Sequence, residues 1–245
     1  MTDWKDLFRP IVTQWVLADM SPEEVPANVL LPFENPDYYD DGEVVSRLEH
    51  VQRRDRFTVG KISGVPVAVT NSSKFGSPSV AMVTDILGTT SAKTIMGIGY
   101  CGALQADINC GDLIIVTGAV RDEGTTTHYV PLSFPAVANP SLVNRLIKAA
   151  TKLKLNYHPG IVWTTDAVLC EDDVQVNFWN KIGLVGVDME TAALLTIANI
   201  RGVAAGVILV ASDHPLSKRQ TDLSRLKVGY RHALDVALEA LSFDI

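Results

Sequence analysis

Two carboxylates lie two residues apart, Asp188 and Glu190, between an apolar run and a helical run in Val185-Gly-Val-Asp-Met-Glu-Thr-Ala-Ala-Leu-Leu195. Either suits the start of a helix, where unpaired N–H groups and the dipole favour negative charge. One cap is enough for one helix, which leaves the other acid a second reading. A carboxylate at the mouth of an apolar element can accept both hydroxyls of a diol such as a ribose edge. Three further polar groups end apolar runs in the same way: Gly97-Ile-Gly-Tyr-Cys-Gly102, Arg121-Asp-Glu-Gly-Thr-Thr-Thr-His-Tyr129 and Ser212-Asp-His214. The glycines permit close approach of backbone to a ligand, or a tight turn, and their spacing is not a GxGxxG fingerprint. His128 reads as a core hydrogen-bonding histidine, a sugar contact or an interface residue. Asp213 reads as a proton donor or a turn former.

The elements that must position these groups alternate. Apolar runs at 28–32, 57–62, 65–70, 94–98, 112–120, 160–164, 184–187 and 203–211 read as strands. Helical patterns occupy 4–17, 43–51, 139–153, 174–181, 223–241 and the stretch from Asp188 to Arg201. Another runs from Pro78 to Leu87, with Ser77 as its cap. Ser63-Gly64 between two strands signals a hairpin. Near-continuous apolar strands alternating with helices imply an α/β fold, a largely parallel sheet covered on both sides. Ligands of such sheets gather beyond the carboxyl ends of strands, which is where the four polar groups fall.

Composition narrows the function. With 245 residues and 47% hydrophobic content the chain can build one sizeable core, a single domain over 1–245 with 1–27 as an N-terminal extension. A net charge of −7 argues against a nucleic-acid partner. The local basic cluster Gln52-Arg-Arg-Asp-Arg56 reads as a solvated face or as the lid of an anion pocket. Cys101, Cys110 and Cys170 have neither zinc-ligand nor disulfide spacing and fit a reducing compartment. The N-terminus lacks a signal-peptide layout and no apolar run reaches membrane-spanning length. The expectation is a cytoplasmic protein acting on a small molecule, without metal or cofactor.

Taken in order, several segments resemble the nucleoside phosphorylase superfamily, which includes purine nucleoside phosphorylases, uridine phosphorylases and methylthioadenosine nucleosidases. They are Phe75-Gly-Ser-Pro-Ser79, Gly99-Tyr-Cys-Gly-Ala-Leu104, Gly111-Asp-Leu-Ile-Ile115, Val120-Arg-Asp-Glu-Gly124, His128-Tyr-Val-Pro131, Phe134-Pro-Ala-Val137, Val187-Asp-Met-Glu-Thr-Ala-Ala193 and Ala211-Ser-Asp-His214. The resemblance implies a mixed, largely parallel and partly barrelled sheet flanked by helices, and assembly into homodimers or homohexamers. It implies that Glu190 holds the ribose 2′- and 3′-hydroxyls and that Met189 packs on the sugar. Val187, Cys101, Gly102, Phe75 and Val168 would lie against base or sugar, with Ser212 beside Asp213. Val168 stands where relatives commonly stack an aromatic ring, a role left to Phe75. Asp213 would protonate the departing base, favouring a purine, and must hold a proton near neutral pH.

The chain departs from the resemblance at the phosphate site. Pro32-Phe-Glu-Asn-Pro36 lacks the glycine and arginine of the phosphorylase turn, Gly97 replaces a second arginine, and Tyr100 replaces a phosphate-binding serine or threonine. Glu34 and Asp37 would oppose a dianion. Arg53 matches an arginine lent by a neighbouring subunit in some hexamers, a weak phosphate ligand here. Glu34 lies near the glutamate that activates water in the hydrolytic relatives. The reading is therefore hydrolysis of a nucleoside, with Glu34 and Asp213 as catalytic residues. Phosphorolysis and non-catalytic nucleoside binding stand as alternatives.

Overall fold

The computed structural model describes residues 4–33, 41–70, 75–216 and 221–243. Helix α1 (Trp4–Leu17) precedes β1 (Asn28–Pro32), the short α2 (Asp41–Val45), β2 (Glu49–Arg53), and the hairpin of β3 (Phe57–Ile62) and β4 (Val65–Thr70). Then come α3 (Ser77–Leu87), β5 (Thr94–Ala103), β6 (Leu113–Asp122), β7 (Ala136–Val137) and α4 (Pro140–Lys152). The chain continues through β8 (Tyr157–Thr165), α5 (Asp173–Ile182), β9 (Gly186–Asp188), α6 (Thr191–Arg201), β10 (Ala204–Asp213) and α7 (Leu223–Ser242).

These strands form one mixed sheet in the order β10-β6-β8-β9-β5-β1-β4-β3-β2, and β10 also pairs with β5. That extra pairing closes β10, β6, β8, β9 and β5 into a ring, and β1, β4, β3 and β2 extend from it as an open wing. β5 is shared by both parts. Its first half pairs in parallel with β1, its end pairs antiparallel with β9, and β10 runs parallel along its other edge. The closure satisfies backbone groups that a sheet edge would leave exposed. The β3–β4 turn places Ser63 at φ 50° and Gly64 at φ 80°, the two positive values a primed hairpin turn requires.

Helices cover both faces. All residues from Thr191 to Ala198 of α6 are buried, so this part of the helix is enclosed on every side, and it packs with α3. On the other face α4 and α7 pack together over Leu142, Leu146, Tyr230, Leu234 and Leu238. Each such side chain contributes on the order of 1.5–3 kcal/mol by burial.

Two local readings need correction. The helix read over 43–51 stops at Val45, and Glu49–Arg53 is an edge strand paired antiparallel with β3. Its residues are exposed or half-buried, so no apolar periodicity marks it. The cap of α3 is Gly76, not Ser77. The Ser77 hydroxyl donates instead to the Met189 carbonyl at 2.8 Å, tying α3 to the β9–α6 junction.

Candidate active site

The ends of β5, β9 and β10 and the start of α6 meet around a cavity of about 270 Å³. At the β9–α6 junction, Asp188 closes β9 and caps α6. Its Oδ2 accepts from Thr191 N at 2.8 Å and from Glu190 N at 3.4 Å, and its Oδ1 accepts from Thr164 Oγ1 at 2.6 Å. Burial pushes the Asp188 carboxyl above its ordinary range, against the pull of these hydrogen bonds. With the cap supplied by Asp188, Glu190 makes no side-chain cap bond of its own. Its Oε1 accepts from Gly76 N at 2.7 Å and its Oε2 from Met189 N at 3.2 Å. Gly76 reaches it with φ 79°, a backbone state that glycine adopts without strain. Glu190 is 5% exposed and lines the cavity beside Met189 and Val187.

Asp213 arrives from the end of β10 through an irregularity. Ala211 pairs with Cys101 and Asp213 with Gly102, so Ser212 is an extra residue in the ladder. Such a bulge re-aims the side chains beside it. Ser212 Oγ lies 3.0 Å from the Cys101 carbonyl oxygen and 2.6 Å from Asp213 Oδ1. Asp213, Ser212, Cys101 and Gly102 all line the cavity. Phe75 and Val168 stand at its mouth, 65% and 48% exposed.

Other residues expected at the site fall elsewhere. His128 is exposed at the end of the 3-10 turn Thr126–His128, whose first residue is buried, and is not among the lining residues. Arg53 is exposed on the edge strand β2, also away from the lining. Glu34, with Asp37 and Tyr38, lies outside the described residues. Arg121 is buried and serves the loop after β6: it donates to Thr126 Oγ1 and to the carbonyls of Val130, Pro131 and Phe134 at 2.7–3.2 Å.

Gly97 has a packing reason. A Cβ there would come within 2.6 Å of Phe33 Cζ and 2.7 Å of Leu194 Cδ2, so no larger side chain fits without rearrangement. Among the described residues, no arginine or lysine lines the cavity. Tyr100 lines it instead and packs on Tyr230 of α7, ring centroids 5.3 Å apart.

One lining residue was missed. Glu171 follows the 3-10 turn Val168–Cys170 and faces the same cavity. Its carboxyl is pushed up to about 7, by burial and then by the charge of Asp213. In the sequence it was visible only as the first acid of Glu171-Asp-Asp173. Among the described residues, no group of three or more His, Cys, Asp or Glu is arranged to hold a metal ion, and no helix is long and apolar enough to cross a membrane.

Comparisons with known proteins identify the family and the fold. The profile of the Phosphorylase superfamily matches residues 16–239. Guanosine phosphorylase of Halorubrum lacusprofundi is 30% identical over 213 residues, covering 84% of this chain and 86% of that one. Uridine phosphorylase of Thermococcus kodakarensis is 33% identical over 243 residues, covering 94% and 82% respectively. The crystal structure of uridine phosphorylase from Vibrio fischeri ES114 with 6-hydroxy-1-naphthoic acid superposes with a TM-score of 0.81 at 27% identity, covering 91% of this chain and 93% of that one.

Proposed function

Since the chain belongs to the phosphorylase superfamily, we propose that it cleaves the N-glycosidic bond of a purine nucleoside with phosphate as the nucleophile. The observation that carries this reading is Glu190 and Asp213 facing one cavity from α6 and β10. A carboxylate accepts at about four sites, which allows a cis-diol to bind beside the backbone donors of Gly76 and Met189. Its charge favours the oxocarbenium-like sugar that develops as the bond breaks. Asp213 gives the departing base a proton, and the base leaves with the bonding pair. Ser212 has one hydroxyl proton for two contacts. Placed as donor between the Cys101 carbonyl and Asp213 Oδ1, the Ser212 hydroxyl ties the Asp213 carboxyl to the end of β5.

Phosphorolysis replaces the hydrolysis read from the sequence. That reading leaned on Glu34, which lies outside the described residues, and the similar proteins cited above are named phosphorylases. Hydrolysis stays as a second reading on one observation, the cation-free described lining with Gly97 sealed by Phe33. The chain acts as a homodimer or homohexamer in this proposal, with exposed Leu7, Ile11 and Trp15 of α1 facing a second copy and Arg53 lent to a neighbour's phosphate.

The test is product analysis on guanosine, inosine, adenosine and uridine with and without phosphate. Ribose 1-phosphate formed only with phosphate is expected. Free ribose without phosphate would establish hydrolysis, and binding without turnover would establish a nucleoside-binding protein. Light scattering reads the oligomeric state.

A further inference from the structure

A second cavity, of about 430 Å³, lies where the turn before β6, the end of α4 and the first half of α7 meet. It shares no lining residue with the cavity of Glu190 and Asp213, and its size suits a small organic ligand. Leu113, Leu155 and Val228 give it apolar surface, and Lys154, Arg225 and His232 bring basic groups. Its carboxylate, Asp112, is already engaged: Oδ2 accepts from Asn109 N at 2.9 Å and lies 3.3 Å from His158 Nε2. The Lys154 and His232 side chains make no hydrogen bond or ion pair among the described residues. Arg225 meets Asp222 at 3.6 Å. The lining is thus basic on balance in a chain whose net charge is −7. Lys154 holds φ 56° just past α4, its N–H on the Thr151 carbonyl and that of Leu155 on the Ala150 carbonyl. Glycine or asparagine usually fills such a helix stop, so the lysine stands there at a cost in backbone strain. The walls are preformed. Gly111 N donates to the Ala211 carbonyl at 2.8 Å, Ala211 N to the Asp112 carbonyl at 3.0 Å, and a Cβ on Gly229 would lie 2.5 Å from the Gly111 oxygen.

We propose that this cavity is a second ligand site, taking a phosphate monoester of sugar-phosphate to mononucleotide size. A phosphate dianion suits both kinds of cation present, lysine as a point charge and arginine as a two-pronged donor. A neutral or cationic ligand would gain nothing from them. Arg225 and His232 lie on one helix with Val228 between them, roughly 10 Å apart along its axis. A bare phosphate reaches one end of that span and leaves Leu155 and Val228 uncovered. An organic body attached to the phosphate crosses the span, covers the apolar surface and brings hydroxyl or ring acceptors to the other end. The proposal stands apart from the nucleoside-cleavage reading, since the two cavities have no residue in common.

Calorimetric titration in low-salt, phosphate-free buffer tests this, with inorganic phosphate, ribose 5-phosphate and adenosine 5′-monophosphate as probes. Three variants accompany the wild-type protein. Lys154→Asn removes the charge at a backbone position that asparagine adopts readily, so its thermal midpoint should not fall. His232→Gln removes the second free cation, and Glu190→Ala strips the ribose anchor of the other cavity. At least one organic probe should bind at a single site, roughly 10-fold more tightly than inorganic phosphate through the apolar surface it covers. Lys154→Asn and His232→Gln should each weaken that binding by roughly 10-fold, the lower end for a hydrogen bond to a charged group, and Glu190→Ala should leave it unchanged. Equal affinity for the two organic probes would uphold the proposal and assign a sugar phosphate; tighter binding of the mononucleotide would uphold it and assign the base to the apolar surface. Binding lost in Glu190→Ala and kept in Lys154→Asn would place the ligand in the catalytic cavity and overturn the proposal. So would inorganic phosphate binding as tightly as the organic probes, or no binding by either of them.

Discussion

Asp188 and Glu190 stand two residues apart, and the structure assigns them different work, which separate substitutions can expose. Asp188→Ala removes the acceptor of Thr191 N, Glu190 N and Thr164 Oγ1 at a site 5% exposed. Loss of a helix cap costs about 0.5–2 kcal/mol. Leaving the buried Thr164 hydroxyl without its acceptor adds about 1–3 kcal/mol. Together these predict a loss of about 1.5–5 kcal/mol in unfolding free energy, or about 3–20 °C in Tm for a chain of this size. Glu190→Ala should instead lower kcat/KM by roughly 100- to 1000-fold, the scale of one preorganised electrostatic contact, with a smaller change in stability. Urea unfolding followed by tryptophan fluorescence and steady-state phosphorolysis, run on both variants, give the four numbers. A wild-type midpoint for Asp188→Ala beside a large loss for Glu190→Ala would refute this division, because the cap would then belong to Glu190.

Further outcomes follow from the same geometry. Asp213→Asn should lower kcat/KM for guanosine by about 10²–10⁴, the range for a general acid. The loss should nearly vanish for a nucleoside whose base already carries an N7 alkyl group and leaves without a proton. Gly97→Ala sets a Cβ against Phe33 and Leu194 and should cost about 1–3 kcal/mol by overpacking. Trimming Phe33 to Leu in the same chain should recover part of that loss, since contacting sites couple in a double-mutant cycle. The folded chain holds the Glu171 proton to about pH 7, above its ordinary carboxyl range. Between about pH 4.5 and 7 the folded state therefore binds more protons than the unfolded one, and stability falls as pH rises through that window. Thermal melts across this range should slope less for Glu171→Gln than for wild type.

Much of this was legible in residue order. The hairpin at 57–70, the cap at Asn139, the stop at Gly202 and the strand at Asn28–Pro32 each carry a local signal that no distant contact overrides. Glu190 and Asp213 were singled out because strand ends collect ligands in such sheets, and both line one cavity. The misses are all nonlocal. The strand Glu49–Arg53 owes its existence to pairing with β3, not to a face of its own. The bulge at Ser212 is a mismatch between two strands, invisible in either one alone. Phe33 against Gly97 is a contact across β1 and β5, so the sequence showed a missing arginine but not the ring that takes its room. Glu171 was visible only as the first acid of Glu171-Asp-Asp173, because its place beside Asp213 depends on how β8 and β10 lie in the closed ring.

β5 is paired on both edges from Thr94 to Ile98, by β1 and β10, and again at Gly102, by β9 and β10, while Gly99–Cys101 pair with β10 alone. Its amide protons from Thr94 to Ile98 should therefore exchange with solvent only when the entire fold opens, whereas Phe75 and the turn from Val168 to Glu171 can open locally at far lower cost. The cavity thus has a half that keeps its shape, where Glu190 and Asp213 converge, and a half that adjusts to the ligand. A nucleoside entering it would dock its ribose on a fixed floor while the base side closes afterwards. Its residence time would then be governed by the turn after β8, leaving the barrel undisturbed.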